Sequence, residues 1–227
     1  MWTKLIAAEA IAERVRAAGR QIARDYAGVA RPPLSGAALP LVGLWSSFDP
    51  RQRTPAGAEG VSQLPRRGLL LVGLLQGGLY FLADLARAVP LAVETATMRV
   101  RSYAGTGSTG QVEVVDDLRW DVAGRDVLVV DDVYDSGRTL SLVRELLQGR
   151  GARSVEFACL LVKDAPRAAA VEVKYGLFAI PNVYVVGAGL DLDGLGRNLP
   201  DVWALREGAT EGEAAMALRE LIASRAW

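Results

Sequence analysis

The segment Val127-Leu128-Val129-Val130-Asp131-Asp132-Val133-Tyr134-Asp135-Ser136-Gly137-Arg138-Thr139-Leu140 decides how this chain is read. Its apolar start fits a strand buried on both faces, and the run ends in two adjacent acids. A short Ser-Gly turn then leads into a helix. In an open α/β sheet, ligands sit at the carboxyl ends of the strands, which is where this turn falls. A helix N-terminus there offers free backbone N–H groups and the positive end of its dipole, so Ser136, Gly137, Arg138 and Thr139 form a cradle for a phosphate. Gly137 lets the backbone come close, and Ser136 and Thr139 add hydroxyl donors. Asp131 and Asp132 cannot serve the same phosphate, because like charges repel; ribose hydroxyls or a magnesium ion suit them. Strand-end acids also occur in receiver domains, and an Asp-Ser-Gly turn also serves as a simple helix cap. Receiver domains, however, carry their acids on the first strand, and here at least two strands and a helix come earlier.

Working outward, residues 69–75 form a second continuously apolar run, and Gly77-Gly78 opens a helix with Leu79, Leu82, Leu85 and Val89 at helical spacing. Residues 91–103 alternate as a strand does, 104–110 are a Gly/Ser/Thr loop, and 111–117 can return antiparallel. The decisive strand spans 126–133, followed by a helix at 139–149 and a strand at 154–162. Short strands are expected at 171–178 and 183–186, a Gly/Asp-rich loop at 187–199 and a terminal helix at 210–225. Upstream, residues 5–26 read as an amphipathic helix that Arg31-Pro32-Pro33 ends. Repeated strand–helix alternation predicts an α/β fold: a twisted, mostly parallel sheet flanked by helices, with an antiparallel arm and a small hood. Residues 1–34 are expected to supply a helix and part of the hood, 35–67 an insertion or long loop, 68–205 the core and hood, and 206–227 a helical extension.

Composition narrows the chemistry. The 227 residues, 51% of them hydrophobic and 23% charged, suffice for one sizeable core. Twenty-six basic and 26 acidic side chains cancel, which removes the electrostatic case for a general nucleic-acid or membrane-surface binder. Cys159 is the single cysteine and histidine is absent, so there is no intrachain disulfide, no usual zinc set and no Ser-His-Asp or Cys-His machinery. Any metal must be held by oxygen. No run approaches a membrane span and the start lacks the pattern of a secretory signal, so a cytoplasmic location is expected.

With these residues in view, 131–140 resembles the phosphoribosyl-pyrophosphate signature of type I phosphoribosyltransferases. Other segments are similar to the hypoxanthine-guanine branch of that family, and they occur in the family's order. Leu71-Val72-Gly73-Leu74-Leu75-Gln76-Gly77-Gly78 with Ala83-Asp84-Leu85 is similar to its pyrophosphate loop, and Ser102-Tyr103 with Gly105 and Gly107 to its catalytic loop. Leu160-Leu161-Val162-Lys163 resembles its purine-reading segment. Ile180-Pro181, Tyr184-Val185-Val186-Gly187, Leu190-Asp191, Arg197 and Leu199-Pro200 resemble its hood.

The resemblance implies transfer of 5-phosphoribose from phosphoribosyl pyrophosphate to hypoxanthine or guanine with Mg2+, that is, purine salvage. Ser136, Gly137, Arg138 and Thr139 would hold the 5′-phosphate, and Asp131 and Asp132 the ribose hydroxyls, directly or through magnesium. Asp135 would take or share the proton at purine N7, Lys163 would donate to the 6-oxo group, Tyr184 would stack on the ring and the Val185 backbone would meet the 2-position. Asp191 would bind a second magnesium. Arg197 and the backbone of Leu75, Gln76 and Gly77 would hold pyrophosphate, with a cis peptide at Leu75–Gln76, and the loop from Ser102 and Tyr103 would close the site. Family members usually associate, so a homo-oligomer, dimer or tetramer, is expected, with the terminal helix as a candidate contact. Alternatives are transfer to xanthine or a modified purine, and a non-catalytic sensor of phosphoribosyl pyrophosphate.

The sequence departs from the pattern at several of these positions. Gln76 stands where the family usually has Lys or Arg, Arg138 replaces a small polar residue, Asp131 stands where Glu is common, and Ala188 replaces an aromatic.

Overall fold

The computed structural model describes residues 1–28, 68–102, 112–118 and 120–224. The expected insertion at 35–67 and the loop at 103–111, Tyr103 included, lie outside the described residues. Six strands form the main sheet in the order β4-β3-β2-β5-β6-β7: β2 (Leu69–Leu75), β3 (Val93–Ser102), β4 (Val112–Asp116), β5 (Asp126–Tyr134), β6 (Ser154–Asp164) and β7 (Tyr175–Pro181). All neighbouring pairs are parallel except β3 with β4, which makes the expected antiparallel arm.

The strand pleat explains why β2 and β5 tolerate no polar residue in their middles. Leu69, Leu71, Leu128 and Val130 pack to one side of the sheet, with Ile22 of α1 (Ala8–Asp25) and Phe81 and Leu85 of α2 (Gly78–Ala88). Leu70, Val72, Val127 and Val129 pack to the other, with Leu140, Val143 and Leu147 of α3 (Arg138–Gly149), and Cys159 lies buried in this layer. Each strand side chain faces one of two helical layers, as period 2 requires. Complete burial of one such aliphatic side chain contributes about 1.5–3 kcal/mol.

The hood is a second sheet, β1-β9-β8, built from β1 (Trp2–Ile6), β8 (Val185–Val186) and β9 (Val202–Leu205). Under it α4 (Glu211–Ala223) buries Ala214 and Leu218 with Val186, Leu192 and Leu199. The terminal helix, a candidate intersubunit contact, packs one face on its own hood. Thr210 and Glu213 close its N-terminus as a capping box.

Three expectations need correction. The first helix does not begin at Leu5: residues 2–6 are a strand paired antiparallel with β9. The helix then starts at Ala8, whose N–H donates to the buried Asp201 carboxylate at 2.9 Å, while Lys4 pairs with the same group at 3.1 Å. This cap comes from 193 residues away, so no local signal marks it. The strand expected at 171–178 runs instead over Tyr175–Pro181. Val171 is buried but irregular, because its N–H donates to the Tyr134 hydroxyl at 3.0 Å. The short strand expected at 183–186 shrinks to Val185–Val186, and β9 was not foreseen. Among the described residues no helix is long and apolar enough to cross a membrane.

Candidate active site

Parallel pairing brings the carboxyl ends of β2, β5 and β6 to one edge of the sheet, and Gln76, Asp135 and Lys163 lie there. Lys163 Nζ donates to Asp135 Oδ2 at 3.0 Å. The lysine is largely enclosed, whereas the Asp135 side chain is 49% exposed, so the pair presents an acceptor and a donor side by side at this edge of the sheet.

The bend after β5 is shaped by glycine. Gly137 adopts φ +82°, and a Cβ there would lie 2.1 Å from the carbonyl oxygen of Ala169. The glycine is thus required by the segment packed against it, in addition to any approach of a ligand. Ala168 and Ala169 donate their N–H groups to the Ser136 carbonyl at 2.9 and 3.1 Å. Ser136 and Thr139 stay partly exposed and Arg138 is exposed, so the first turn of α3 with its free N–H groups faces outward.

Asp131 and Asp132 each accept the N–H of the following residue, at 3.0 and 2.9 Å. The loop after β2 lies directly against them. A Cβ on Gly77 would stand 1.6 Å from Asp132 Oδ2, and one on Gly78 would stand 3.2 Å from the Asp131 Cα. The Leu75–Gln76 peptide in this loop is cis, and Gln76 is exposed. Burial, and after it the Asp132 charge, pushes the Asp131 carboxyl well above the usual carboxylate range. Burial raises Asp132 as well, opposed by its hydrogen bonds and by the nearby Arg197 cation.

The hood closes over the same loop. Gly189, at φ +106°, approaches Gly77 so closely that a Cβ would stand 2.4 Å from the Gly77 carbonyl oxygen. Arg197 donates to the Gly189 carbonyl at 2.7 Å and pairs with Asp191 at 2.6 Å. The other Asp191 oxygen accepts the Gly194 N–H. Tyr184 donates its hydroxyl to the Asp191 carbonyl at 2.9 Å, and the residue is 46% exposed. Val185 is buried by its side chain, but β8 is the edge strand of the hood sheet, so part of its backbone is free of the ladder. Ser102 ends β3 at the same side of the sheet. A separate cavity of about 420 Å3 between α1, α2 and residues 197–200 shares only Arg197 with this constellation.

One residue beside the site was not foreseen. Arg167 donates Nη1 to the Asp135 carbonyl at 2.6 Å and Nη2 to the Lys163 carbonyl. The only signal in the sequence is a cation four positions after Lys163, beyond Pro166, where a chain turning back can return it to the strand end.

The raised Asp131 carboxyl has a consequence for stability. An acid whose pKa is raised on folding contributes stability that is complete below its unfolded value, about 3.9, and is lost as pH climbs through the folded value. The contribution of Asp131 to stability is therefore lost from acid toward neutral pH. Asp131→Asn keeps an acceptor for the Asp132 N–H and removes the charge, so it should gain about 1 kcal/mol at pH 7 and lose that pH slope. Urea unfolding at pH 5 and pH 8 measures both; an Asn variant less stable than the parent at pH 8 refutes the assignment.

A model of the phosphoribosyl transferase domain matches residues 58–193, well over half of the chain. The chain belongs to the phosphoribosyltransferase family. The hypoxanthine-guanine phosphoribosyltransferase of Streptococcus pneumoniae (strain ATCC BAA-255 / R6) is 39% identical over 152 residues, 66% of this chain and 84% of that protein. The bifunctional protein TilS/HprT of Listeria innocua is 42% identical over 151 residues, and there the match spans only 23% of the longer protein. Among solved structures, a hypoxanthine phosphoribosyltransferase from Staphylococcus aureus superposes with a TM-score of 0.68 at 32% identity, covering 90% of this chain and 91% of that one. The Trypanosoma cruzi hypoxanthine phosphoribosyl transferase gives 0.71 at 29% identity, covering 96% and 95%. The mostly parallel sheet with flanking helices is thus the phosphoribosyltransferase fold.

Proposed function

We propose that this phosphoribosyltransferase transfers 5-phosphoribose from phosphoribosyl pyrophosphate to hypoxanthine or guanine, forming the nucleoside monophosphate and pyrophosphate. The observation that carries this reading is the Lys163–Asp135 pair, 3.0 Å apart, beside the glycine bend that opens α3 at Gly137. A 6-oxopurine protonated at N7 offers a donor and an acceptor on neighbouring atoms of one edge, and a carboxylate beside an ammonium is its complement. Adenine sets an amino group against the ammonium, donor against donor.

In this reading Ser136, Gly137, Arg138 and Thr139 bind the 5′-phosphate through hydroxyls and the N-terminal N–H groups of α3. Asp131 and Asp132 face the ribose hydroxyls. Breaking the bond from C1′ to pyrophosphate leaves positive charge on the ribose, near these carboxylates, and negative charge on the leaving group, near Arg197 and the backbone of Leu75, Gln76 and Gly77. N9 of the base attacks C1′ while Asp135 takes the N7 proton and Lys163 holds the 6-oxo group. Tyr184 stacks on the ring, the Val185 backbone meets its 2-position, and the loop entered by Ser102 and Tyr103 excludes water.

Magnesium fits the donors present. Asp131 and Asp132 are adjacent carboxylates near the end of β5; Asp191, in the hood, is engaged with Arg197, and among the described residues no three such acids stand together as a ready metal site. One or two carboxylates together with substrate oxygens are what this ion takes. When bound, it supplies charge neutralisation for the departing pyrophosphate.

Steady-state assays with phosphoribosyl pyrophosphate, magnesium and a panel of hypoxanthine, guanine, xanthine and adenine test the reading. Turnover is expected with hypoxanthine and guanine, with adenine lower by about 100-fold or more in kcat/KM. Activity confined to adenine, or none with any base, refutes it.

A further inference from the structure

The β5–β6 ladder ends with the pair Tyr134 and Val162. Asp135 and Lys163, whose side chains must meet one edge of one base, sit on the chains just past that point, where the β5–β6 ladder no longer sets their spacing. Arg167 takes over where the ladder stops. Its fork binds the carbonyl oxygen of Asp135 with one nitrogen and that of Lys163 with the other. The guanidinium lies over the Tyr134 ring, 4.3 Å from its centroid. That ring is itself held, since Tyr134 is buried and its hydroxyl accepts the Val171 N–H at 3.0 Å and donates to the Ala169 carbonyl at 3.4 Å.

We propose that Arg167 is a positioning residue for base recognition, whose planar fork sets the spacing between the Asp135 carboxylate and the Lys163 ammonium. The proposal rests on the purine reading above and goes beyond it, since it places the selection of the purine edge in a residue that touches no substrate. A lysine cannot replace it: one ammonium cannot reach both carbonyls while lying over the ring. The phosphate bend does not depend on the guanidinium, because Ala168 and Ala169 hold the Ser136 carbonyl through their own N–H groups. Loss of Arg167 should therefore be felt by the base and not by the sugar phosphate.

The test compares the full-length chain with Arg167→Ala and Arg167→Lys. Four quantities are measured: thermal midpoint, equilibrium binding of phosphoribosyl pyrophosphate, equilibrium binding of inosine monophosphate, and kcat and KM with hypoxanthine and adenine. Misplacement by a fraction of an ångström to 1 Å should lower kcat/KM for hypoxanthine about 10- to 100-fold and narrow the preference over adenine. Phosphoribosyl-pyrophosphate affinity should stay within about twofold, and the lysine variant should behave as the alanine one does. Hypoxanthine kcat/KM within threefold of the parent, restoration by lysine, or a parallel fall in phosphoribosyl-pyrophosphate affinity and thermal midpoint each overturns the proposal. A parent chain that binds inosine monophosphate without turning over any base refutes the transfer reading alone. In that case, weakened inosine-monophosphate binding in both variants still supports the role of Arg167, and unchanged binding overturns it.

Discussion

Asp135→Asn is expected to lower kcat by about 100- to 10,000-fold while phosphoribosyl pyrophosphate binds as before. The amide has the shape of the carboxylate and can still turn its oxygen toward the N7–H of the base, so the base still docks. It cannot take the proton, and N9 of a base still protonated at N7 then attacks as the poorer nucleophile. Stability should fall by no more than about 1 kcal/mol: the Asp135 side chain is 49% exposed, which screens its pair with the largely enclosed Lys163, and the amide oxygen can still accept from that ammonium. The backbone of residue 135 stays tied to Arg167 in the variant, because the accepting atom is the main-chain carbonyl. Binding by calorimetry and turnover by absorbance separate the two effects. Full turnover in the Asn variant would remove Asp135 from the chemistry; loss of phosphoribosyl-pyrophosphate binding would move its role to the sugar phosphate.

The parts of the molecule legible in the sequence are those written in local order. The runs at 69–75 and 126–133 announce buried parallel strands because both of their faces are apolar, and the structure places them within a residue of those bounds as β2 and β5. The antiparallel arm and α3 follow from alternation and from helical spacing in the same way. What stayed hidden depends on partners far along the chain. Residues 2–6 include the strand formers Trp2, Thr3 and Ile6, but the run is short and continues into the helical pattern from Leu5, and its pairing with β9 is what makes it β1. Ala7 is a poor helix cap, and the helix begins there because Asp201 supplies the missing acceptor. In the candidate site, the acids and the bend are contiguous in sequence and were visible as a motif. Arg167 acts through two backbone carbonyls, which no residue type betrays, so its place beside Asp135 and Lys163 appears only in three dimensions.

Two glycines of the site should fail in different ways. Gly137→Ala forces a side chain into φ +82° and sets its Cβ 2.1 Å from a backbone oxygen of Ala169. Neither the dihedral nor the carbonyl can yield without shifting the segment that lies against the bend. A loss of about 2–4 kcal/mol of stability is expected, with the thermal midpoint falling by roughly 5–15 °C for a chain of this size and phosphoribosyl-pyrophosphate affinity falling with it. Gly77 has φ −60°, which alanine adopts without strain, and its clash is with one side-chain group, the Asp132 carboxylate, 1.6 Å from Oδ2 and 2.4 Å from Cγ. The Asp132 carboxylate can swing away, so Gly77→Ala should keep its stability within about 1 kcal/mol. The swing carries the carboxylate out of the position assigned to the ribose hydroxyls, and kcat/KM for phosphoribosyl pyrophosphate should fall by about 100-fold, the cost of misplacing a group by an ångström or so. Paired melting curves and kinetics distinguish the two variants. A Gly77→Ala chain that melts normally and turns over at the parent rate would show that the placement of Asp132 beside this loop is packing, with no part in binding the sugar.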